Sequence, residues 1–345
     1  MTAGTPGQTA ATARNFPMTK HSDKLTIWSN AKFSDAAMRR LAEGTREHHV
    51  VYAANASPNV LAAGGPDPTL VDAEVAFGQP DATQCQTLPR LRWVEVTTGG
   101  YTRYATPEFQ ESFRARGAMF SNVSSVFADP CAQHVLAMML ALARQLLPSH
   151  RDQLTDRSWH YEHRRYESWL LNGQTVLMLG FGAIGRRLAE LLAPFHMNLI
   201  AVRRQTHSVR GVRIIPEESV SSALATADHV VNILPENPST RNYVNARRLA
   251  WVKPGARFYN VGRGTTVDQG ALLEALQSGR LGSAYLDVFE TEPLPADHPL
   301  WSAPNCFITP HTAGGHPDQD ERVIEHFLKN LAAFQRGEPL VDRIV

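Results

Sequence analysis

The fold of this chain is decided by one stretch, Val176-Leu177-Met178-Leu179-Gly180-Phe181-Gly182-Ala183-Ile184-Gly185-Arg186-Arg187-Leu188. An apolar run of strand length meets three glycines at G-x-G-x-x-G spacing, and an apolar pattern of helical period follows. In a dinucleotide site the first glycine allows the tight turn, the second lets the backbone approach a pyrophosphate, and the third lets the helix pack closely on the strand. The phosphates would bind at the helix N-terminus.

The same glycine spacing also occurs by chance in turns that bind nothing. The strand before it and the helix after it favour a dinucleotide site. The contacts predicted in this loop are Gly180, Phe181, Gly182, Ala183, Ile184 and Gly185.

Composition sets the class of the protein. With 345 residues, 43% hydrophobic and 19% charged, the chain fits two globular domains. A net charge of +1 gives no case for nucleic acid or an anionic membrane as a partner. Three widely spaced cysteines predict neither a disulfide framework nor a metal site, so we expect a reducing, cytoplasmic location. No apolar run approaches the roughly 18 residues of a membrane span.

Two series of alternating strands and helices follow a leader, 1–23, that we predict to be disordered. The first series has strands at 25–28, 50–52, 75–77, 93–97 and 118–122, with helices at 35–43 and 107–116. The second has strands at 175–179, 198–203, 229–233, 257–261, 283–287 and 306–308, and a closing helix at 316–336. This alternation predicts an α/β protein with two doubly wound parallel-sheet, Rossmann-like units.

Between the two series the pattern predicts one long, buried helix at 128–147, ended by Pro148. Residues 149–170 are rich in His, Arg and aromatic residues. A surface arm that packs on another subunit explains this composition better than a metal or cofactor cluster, because His160 and His163 have no acidic or thiol partners nearby.

Polar side chains follow three of the predicted strands. Arg263 comes after 257–261, Asp287 ends 283–287 with Glu292 five residues on, and His311 comes after 306–308. Each alone has an ordinary explanation in a surface turn or loop. Because open parallel sheets bind ligands outside the carboxyl ends of their strands, the set predicts a carboxylate binder, an acid and an orienting carboxylate at one sheet edge.

From about residue 25 to its end the chain resembles the D-isomer-specific 2-hydroxyacid dehydrogenases. The resemblance is carried by five stretches in the family's order: 179–186 (LGFGAIGR), 234–240 (LPENPST), 252–268 (VKPGARFYNVGRGTTVD), 286–295 (LDVFETEPLP) and 309–314 (TPHTAG). It implies a split substrate domain, 24–125 and 310–345, with an NAD(P)-binding domain, 126–309, inserted into it.

The resemblance also implies roles for residues. The family's catalytic Arg, Glu and His fall on Arg263, Glu292 and His311, and Asp287 would lie near the nicotinamide carboxamide. Further cofactor contacts are implied at Leu234, Pro235, Val261, Gly262, Arg263, Asp287, His311, Ala313 and Gly314. The substrate carboxylate would be held by Arg263, by His311 and by the loop Thr98-Gly99-Gly100.

Departures from the family pattern concern specificity. Tyr101-Thr102-Arg103 stands where the family usually has an Asp, and Gln133 where a Glu is frequent. The predicted strand 198–203 ends in Arg203-Arg204, where NAD-binding folds place an acid for the ribose 2′-hydroxyl. Two guanidinium groups would pair with a 2′-phosphate instead, so we expect NADP(H) to be preferred over NAD(H).

The predicted function is the reduction of a small 2-oxo acid, as in glyoxylate or hydroxypyruvate reductases. As in the family, we expect a homodimer. Two alternatives stay open. A formate dehydrogenase shares the fold but pairs its His with Gln, which Glu292 argues against. A non-catalytic NAD(P)-sensing protein, like the corepressors of this fold, would not need the full Arg, Glu and His set.

Overall fold

A computed structural model gives the fold of residues 24–54, 65–203 and 208–345. The predicted leader 1–23 and Arg204 lie outside these described residues. Two parallel sheets organise the chain, which confirms the α/β class with two Rossmann-like units.

The first sheet has five strands in the order β2-β1-β3-β4-β5, and every pair is parallel. Its strands and the helices between them are β1 (Thr26–Ser29), α1 (Asp35–Gly44), β2 (His49–Tyr52), β3 (Val75–Gly78), α2 (Ala82–Thr87), β4 (Trp93–Val96), α3 (Pro107–Ala115) and β5 (Met119–Ser121). Ser34 caps α1 by accepting a hydrogen bond from the N–H of Ala37, as its position before the helix predicts.

The second sheet has seven parallel strands in the order β12-β11-β10-β9-β6-β7-β8. The chain reaches it through three helices, α4 (Ala128–Ala143), α5 (Leu146–Leu154) and α6 (Tyr161–Glu167). Its elements are β6 (Thr175–Leu179), α7 (Ala183–Leu192), β7 (Asn198–Val202), β8 (Arg213–Ile215), α8 (Val220–Leu224), β9 (His229–Asn232), α9 (Ala246–Trp251), β10 (Ala256–Asn260), α10 (Gln269–Gln277), β11 (Leu281–Leu286) and β12 (Cys306–Ile308).

The strand order places a switch point at β6, which lies between β7 and β9. The connections from these strands leave in opposite directions, so a crevice opens at their carboxyl ends. The glycine loop Gly180–Gly185 lies directly at this crevice.

The last helix, α11 (Gln319–Arg336), returns the chain to the first sheet. Phe327 stacks on Phe77 of β3, with ring centroids 4.1 Å apart, and on Trp93 of β4, at 5.3 Å. The helix begins at Gln319 rather than at the predicted His316, because residues 317–318 form a turn before it. Both ends of the chain therefore build the core around the first sheet.

The single helix predicted at 128–147 is wrong. Gln145 has φ 55°, in the left-handed region, and separates α4 from α5. Pro148 does not end a helix but lies in the first turn of α5, where its missing N–H leaves no intrahelical bond unmade. Apolar periodicity continues through Leu146 and Leu147, and therefore did not reveal the break.

The burial predicted for this region holds for α4. Its buried face, which includes Val135 and Met139, packs against α7 beside the second sheet. The arm that follows is tied by a bidentate ion pair from Arg164 to Asp152, at 2.6–2.8 Å. In the described parts of the chain, no helix is long and apolar enough to cross a membrane.

Candidate active site

The glycine loop has the backbone geometry of an anion site. Gly180 has φ 94°, which an L side chain rarely adopts. A Cβ on Gly182 would meet open space, whereas one on Gly185 would lie 3.0 Å from the side chain of Ile233 and 3.1 Å from that of Phe181. Gly185 thus brings α7 close to the sheet, and the N-terminal turn of α7 directs its N–H groups into the crevice.

Among the described residues, no side chain caps the start of α7 at Gly182. The open space there and the unsatisfied N–H groups of the first turn together fit a pyrophosphate. Predicted contacts Leu234 and Pro235 follow β9 at the same sheet edge, and Val261 and Gly262 follow β10. A Cβ on Gly262 would lie 2.8 Å from the carbonyl oxygen of Leu234, so these two loops approach each other backbone to backbone.

Arg263 is held at this edge by a buried polar network. Asn232 at the end of β9 donates to Asn260 Oδ1 at 3.0 Å and to Thr266 Oγ1 at 2.7 Å. Thr266 Oγ1 and Asn260 Nδ2 in turn donate to the carbonyl oxygen of Arg263, at 2.6 and 3.3 Å. The network fixes the backbone from which the guanidinium extends.

The guanidinium of Arg263 lies against the loop after β4. A Cβ on Gly100 would overlap its Nη2 atom, so a larger residue there would displace the guanidinium. That loop is itself held by hydrogen bonds from Thr98 Oγ1 to the Gly100 carbonyl oxygen (2.6 Å) and from Asn122 Nδ2 to that of Gly99 (2.8 Å). The structure therefore brings the predicted substrate loop of the first sheet and the predicted Arg of the second together.

Burial lowers the pKa of Arg263, and the charges of Cys131, Glu236 and Glu292 act in the opposite direction. A guanidinium stays protonated in proteins in any case. Arg263 is thus a fixed cation at the junction of the two sheets.

His311 and Glu292 form a hydrogen-bonded pair. His311 Nδ1 lies 2.6 Å from Glu292 Oε2, and Glu292 Oε1 accepts from the N–H of Phe289 at 2.8 Å. Burial raises the pKa of Glu292, but the hydrogen bonds and charges of His311, Phe289 and Arg263 outweigh it and hold that pKa below its usual value. An ionised carboxylate only accepts, so Nδ1 carries the hydrogen and Nε2 is the ring atom left for a ligand.

Asp287 is a buried support of the His311 loop. One carboxylate oxygen accepts from Thr309 Oγ1 (2.6 Å) and the Thr312 N–H (2.8 Å), and the other accepts from the Ala313 N–H (3.0 Å). Its carbonyl oxygen accepts from the N–H of His311 at 2.9 Å. The three side-chain bonds engage both carboxylate oxygens within the protein. The nicotinamide contact predicted for Asp287 stays a prediction.

The remaining predicted residues lie at the same edge or outside the described chain. Ala313 is buried, and a Cβ on Gly314 would lie 3.1 Å from the Phe127 ring at the start of α4. Arg203 directly follows β7, where its N–H donates to the carbonyl oxygen of Ile215. Arg204 is not among the described residues.

Sequence reasoning missed the residues that support this site. Asn232 and Asn260 each end a strand and are fully or nearly fully buried, at 0 and 1% exposure. The sequence did place two asparagines at equivalent strand ends. Because a buried side-chain amide must find hydrogen-bond partners, this pair could have indicated a polar network at the sheet edge. Glu236 was also missed; it accepts a hydrogen bond from Thr102 Oγ1 of the first sheet's loop at 3.2 Å.

Comparison with known proteins agrees with this geometry. A sequence model described as the NAD-binding domain of D-isomer specific 2-hydroxyacid dehydrogenases matches residues 136–313. A Pyrococcus furiosus protein named glyoxylate reductase is 32% identical over 260 residues, which are 72% of this chain and 74% of that protein. An uncharacterized Corynebacterium melassecola protein from the proB 3′ region is 32% identical over 277 residues, 79% of this chain and 88% of its own.

A solved structure gives the same relationship over nearly the whole chain. The D-isomer specific 2-hydroxyacid dehydrogenase of Xanthobacter autotrophicus Py2 superposes with a TM-score of 0.77 at 27% identity, covering 94% of this chain and 98% of that one. The glycine crevice, the two-sheet junction and these matches lead to one conclusion. The chain belongs to the family of D-isomer specific 2-hydroxyacid dehydrogenases.

Proposed function

We propose that this protein reduces the C2 carbonyl of a small 2-oxo acid to a D-2-hydroxy acid, with NADPH preferred over NADH. The observation that carries the proposal is the placement of Arg263 against Gly100, beside the His311–Glu292 pair. A planar cation and an imidazole held by a carboxylate are the groups that bind and protonate an α-keto carboxylate.

The residues of the chain then have separate tasks. Arg263 binds the substrate carboxylate and carbonyl oxygens with its fork of N–H donors. His311 Nε2 donates its proton to the carbonyl oxygen as hydride reaches C2, and in the oxidative direction it takes that proton back. Glu292 orients the imidazole by accepting the hydrogen bond from Nδ1. The nicotinamide cofactor, when bound, supplies or accepts the hydride.

The cofactor would be held by the loop Gly180–Gly185, by Leu234, Pro235, Val261 and Gly262, and by Ala313 and Gly314. The preference for NADP(H) is supported by Arg203 directly after β7, in place of an acid. A solved relative, that of Xanthobacter autotrophicus Py2, is in complex with NADPH.

Cofactor choice is tested by initial rates with NADPH and NADH, for wild type and Arg203→Asp. We expect wild type to favour NADPH and the variant to shift towards NADH, because a carboxylate repels a 2′-phosphate and binds a 2′-hydroxyl. Equal efficiency of the two cofactors with the wild-type protein would contradict the preference.

The reaction is tested by oxidation of the reduced cofactor with glyoxylate, hydroxypyruvate and phenylpyruvate. We expect turnover of at least one, and a loss of about a hundredfold or more in His311→Ala, because a positioned acid contributes that much. Undiminished activity in this variant would refute the acid role. Cofactor binding without turnover of any 2-oxo acid would instead favour an NAD(P)-sensing protein. Formate oxidation is disfavoured by Glu292 at the His311 partner position.

We also propose a homodimer formed through the arm at residues 149–170, and a cytoplasmic location. The arm exposes apolar side chains, with Trp159 at 91%, Tyr166 at 80% and Leu154 at 70%. Exposed apolar surface of this kind is typical of an interface. Sedimentation should give twice the chain mass, and a monomer at micromolar concentration would contradict the proposal.

The division into domains 24–125 with 310–345, and 126–309, remains our proposal as well. It is supported by the packing of α11 on the first sheet and by the separate cores around each sheet.

A further inference from the structure

One acidic side chain at the site has no task in the reaction. Glu236 lies in the loop after β9, on the same sheet edge as Arg263 and His311. Its Oε2 accepts a hydrogen bond from Thr102 Oγ1, at 3.2 Å, and Thr102 belongs to the loop that follows β4 of the other sheet. Glu236 therefore lies where the two sheets face each other.

The position of Glu236 relative to the substrate follows from two contacts. Gly100 lies against the Arg263 guanidinium, and Thr102, only two residues on, meets Glu236. The carboxylate is close enough for its charge to act on Arg263, yet within the described residues Glu236 has no ion-pair partner. It is a negative group at the cleft whose hydrogen-bond partner is a neutral hydroxyl.

A 2-oxo acid bound as proposed leaves one substituent unassigned. Arg263 and the loop at Gly100 take the carboxylate, and His311 takes the carbonyl oxygen. What remains is the group on C3. The loop at Gly100 continues directly to Thr102, whose hydroxyl bonds Glu236, so an acidic side chain adjoins the loop that would hold the carboxylate.

We propose that Glu236 is a specificity-determining residue, which selects 2-oxo acids with a hydrogen-bond donor on C3 and rejects those with a second carboxylate or a phosphate there. This inference rests on the proposed reduction of 2-oxo acids. A carboxylate accepts from a hydroxyl or ammonium group, and it repels another anion in the same cleft.

Three substrates that differ at C3 test the inference: hydroxypyruvate carries a hydroxyl, 2-oxobutanoate a methyl and oxaloacetate a carboxylate. We expect wild-type kcat/KM to fall in that order. Glu236→Gln should raise the ratio of oxaloacetate to hydroxypyruvate by about tenfold or more, because the repulsion is removed while the shape is kept. A ratio within about twofold of wild type would overturn the inference.

Two further variants test whether Glu236 selects substrates or only joins the two loops through Thr102. Thr102→Val removes the hydroxyl that bridges the sheets but leaves the carboxylate, so it should not change the ratio. If Thr102→Val changes the ratio as much as Glu236→Gln does, Glu236 acts only by holding the two loops together, and the inference is wrong. Glu290→Gln is the matched control, since Glu290 is a loop carboxylate of the same region that pairs with Arg241 at 2.7 Å.

A binding experiment distinguishes failure of this inference from failure of the proposed function. Calorimetry with the protein and NADP⁺ would compare D-glycerate, D-2-hydroxybutanoate and D-malate in wild type and Glu236→Gln. If no 2-oxo acid is turned over but D-malate binds more tightly to the variant, the proposed reaction is wrong, whereas the proposed selectivity of Glu236 is supported. Binding that ignores the substitution, or no binding of any of the three, overturns the inference.

Discussion

His311 combines a reactive side chain with an uncommon backbone. Its φ of 53° lies in the left-handed region, which costs a non-glycine residue of the order of 1 kcal/mol. The surrounding bonds hold it there: the N–H donates to the Asp287 carbonyl oxygen and the ring to Glu292. The imidazole is thus oriented before any ligand binds, which is what a proton donor in a hydride transfer requires.

Substitution of Glu292 by Gln should lower the reductive kcat about tenfold or more, since an amide can turn its own donor towards Nδ1 and then no longer holds the imidazole in place. The pKa of Glu292 is lowered, so its carboxylate stays ionised at neutral and mildly acidic pH and takes up a proton only as the pH falls through that lowered value. The wild-type pH profile should therefore show no acid-side loss from this group above about pH 4.5. If wild-type activity already falls with decreasing pH well above 4.5, and the activity of the Glu292→Gln variant does not, the assignment of Glu292 as an ionised group is wrong.

Gly100 is a second test at the scale of single residues. Alanine at this position would overlap the Arg263 guanidinium and displace it, so Gly100→Ala should lower kcat/KM by about a hundredfold, as misplacement by about 1 Å does. The matched control is Gly65→Ala, whose Cβ meets nothing within 4 Å. Thermal unfolding of both variants should resemble wild type. An active Gly100→Ala enzyme would mean that Arg263 binds substrate from another position.

The connection from β11 to α11 shows how an element delivers the acid. β11 and β12 are adjacent and parallel, so their carboxyl ends bring Asp287 and the loop 309–314 together. Behind them Tyr285 Oη bonds Thr309 Oγ1 at 2.5 Å and also contacts His134 of α4. The His311 loop is thereby tied to a strand on one side and to a long helix on the other.

Asp287→Asn should loosen this loop. The amide group would place a donor against the N–H of Ala313 or Thr312, leaving a buried N–H without a partner at a cost of about 1–3 kcal/mol. We expect faster hydrogen exchange at residues 309–314 together with a lower kcat. Asp268→Asn is the control, because Asp268 caps α10 and Asn caps helices equally well. If the amides of residues 309–314 exchange as slowly in Asp287→Asn as in wild type, Asp287 does not support this loop.

Particular elements show how far the sequence could predict this fold and site. Strand order, the glycine loop and the meeting of Arg263, Glu292 and His311 at one edge follow from alternating patterns and from the rule for strand ends. β8 was missed altogether, and α4 ends before the predicted residue because apolar periodicity does not register the conformation of Gln145. The Asp287 bonds depend on contacts between distant segments, which a single sequence does not reveal.

At the scale of the molecule, α11 is joined to the first sheet by a buried charged group. His326 lies 3.0 Å from Glu95 of β4 and 3.3 Å from Asp342, which also accepts from the N–H of Ser125 where the chain leaves the first sheet. Burial lowers the pKa of His326, but its ion-pair contacts with Asp342 and Glu95 outweigh it and raise that pKa to about 9. The C-terminal segment is thus held by charge as well as by packing.

This network predicts how stability depends on pH. Because the folded-state pKa of His326 is raised, its contribution is complete below the ordinary value of 6.5 and is lost as the pH rises through about 9. Urea midpoints should therefore fall between pH 6.5 and 9.5, and they should fall less in His326→Gln, which does not titrate. The variant should be less stable than wild type at pH 6.5 by about 3–5 kcal/mol, because the buried carboxylate of Glu95 loses its charged partner and keeps only the hydrogen bonds from Ser121 and Asn330. Parallel pH curves for the two proteins would exclude His326 as the cause.

The contact of Arg263 with Gly100 has a consequence for the time course of refolding. Each sheet can form its own strands, but the cation and the loop that it touches belong to different sheets, so catalysis requires that the sheets have docked. Docking of domains takes milliseconds to minutes, well after helices and hairpins form. Recovery of activity after dilution from denaturant should then lag behind recovery of the far-ultraviolet circular dichroism signal. The rate at which activity returns would therefore report the rate at which the two sheets dock.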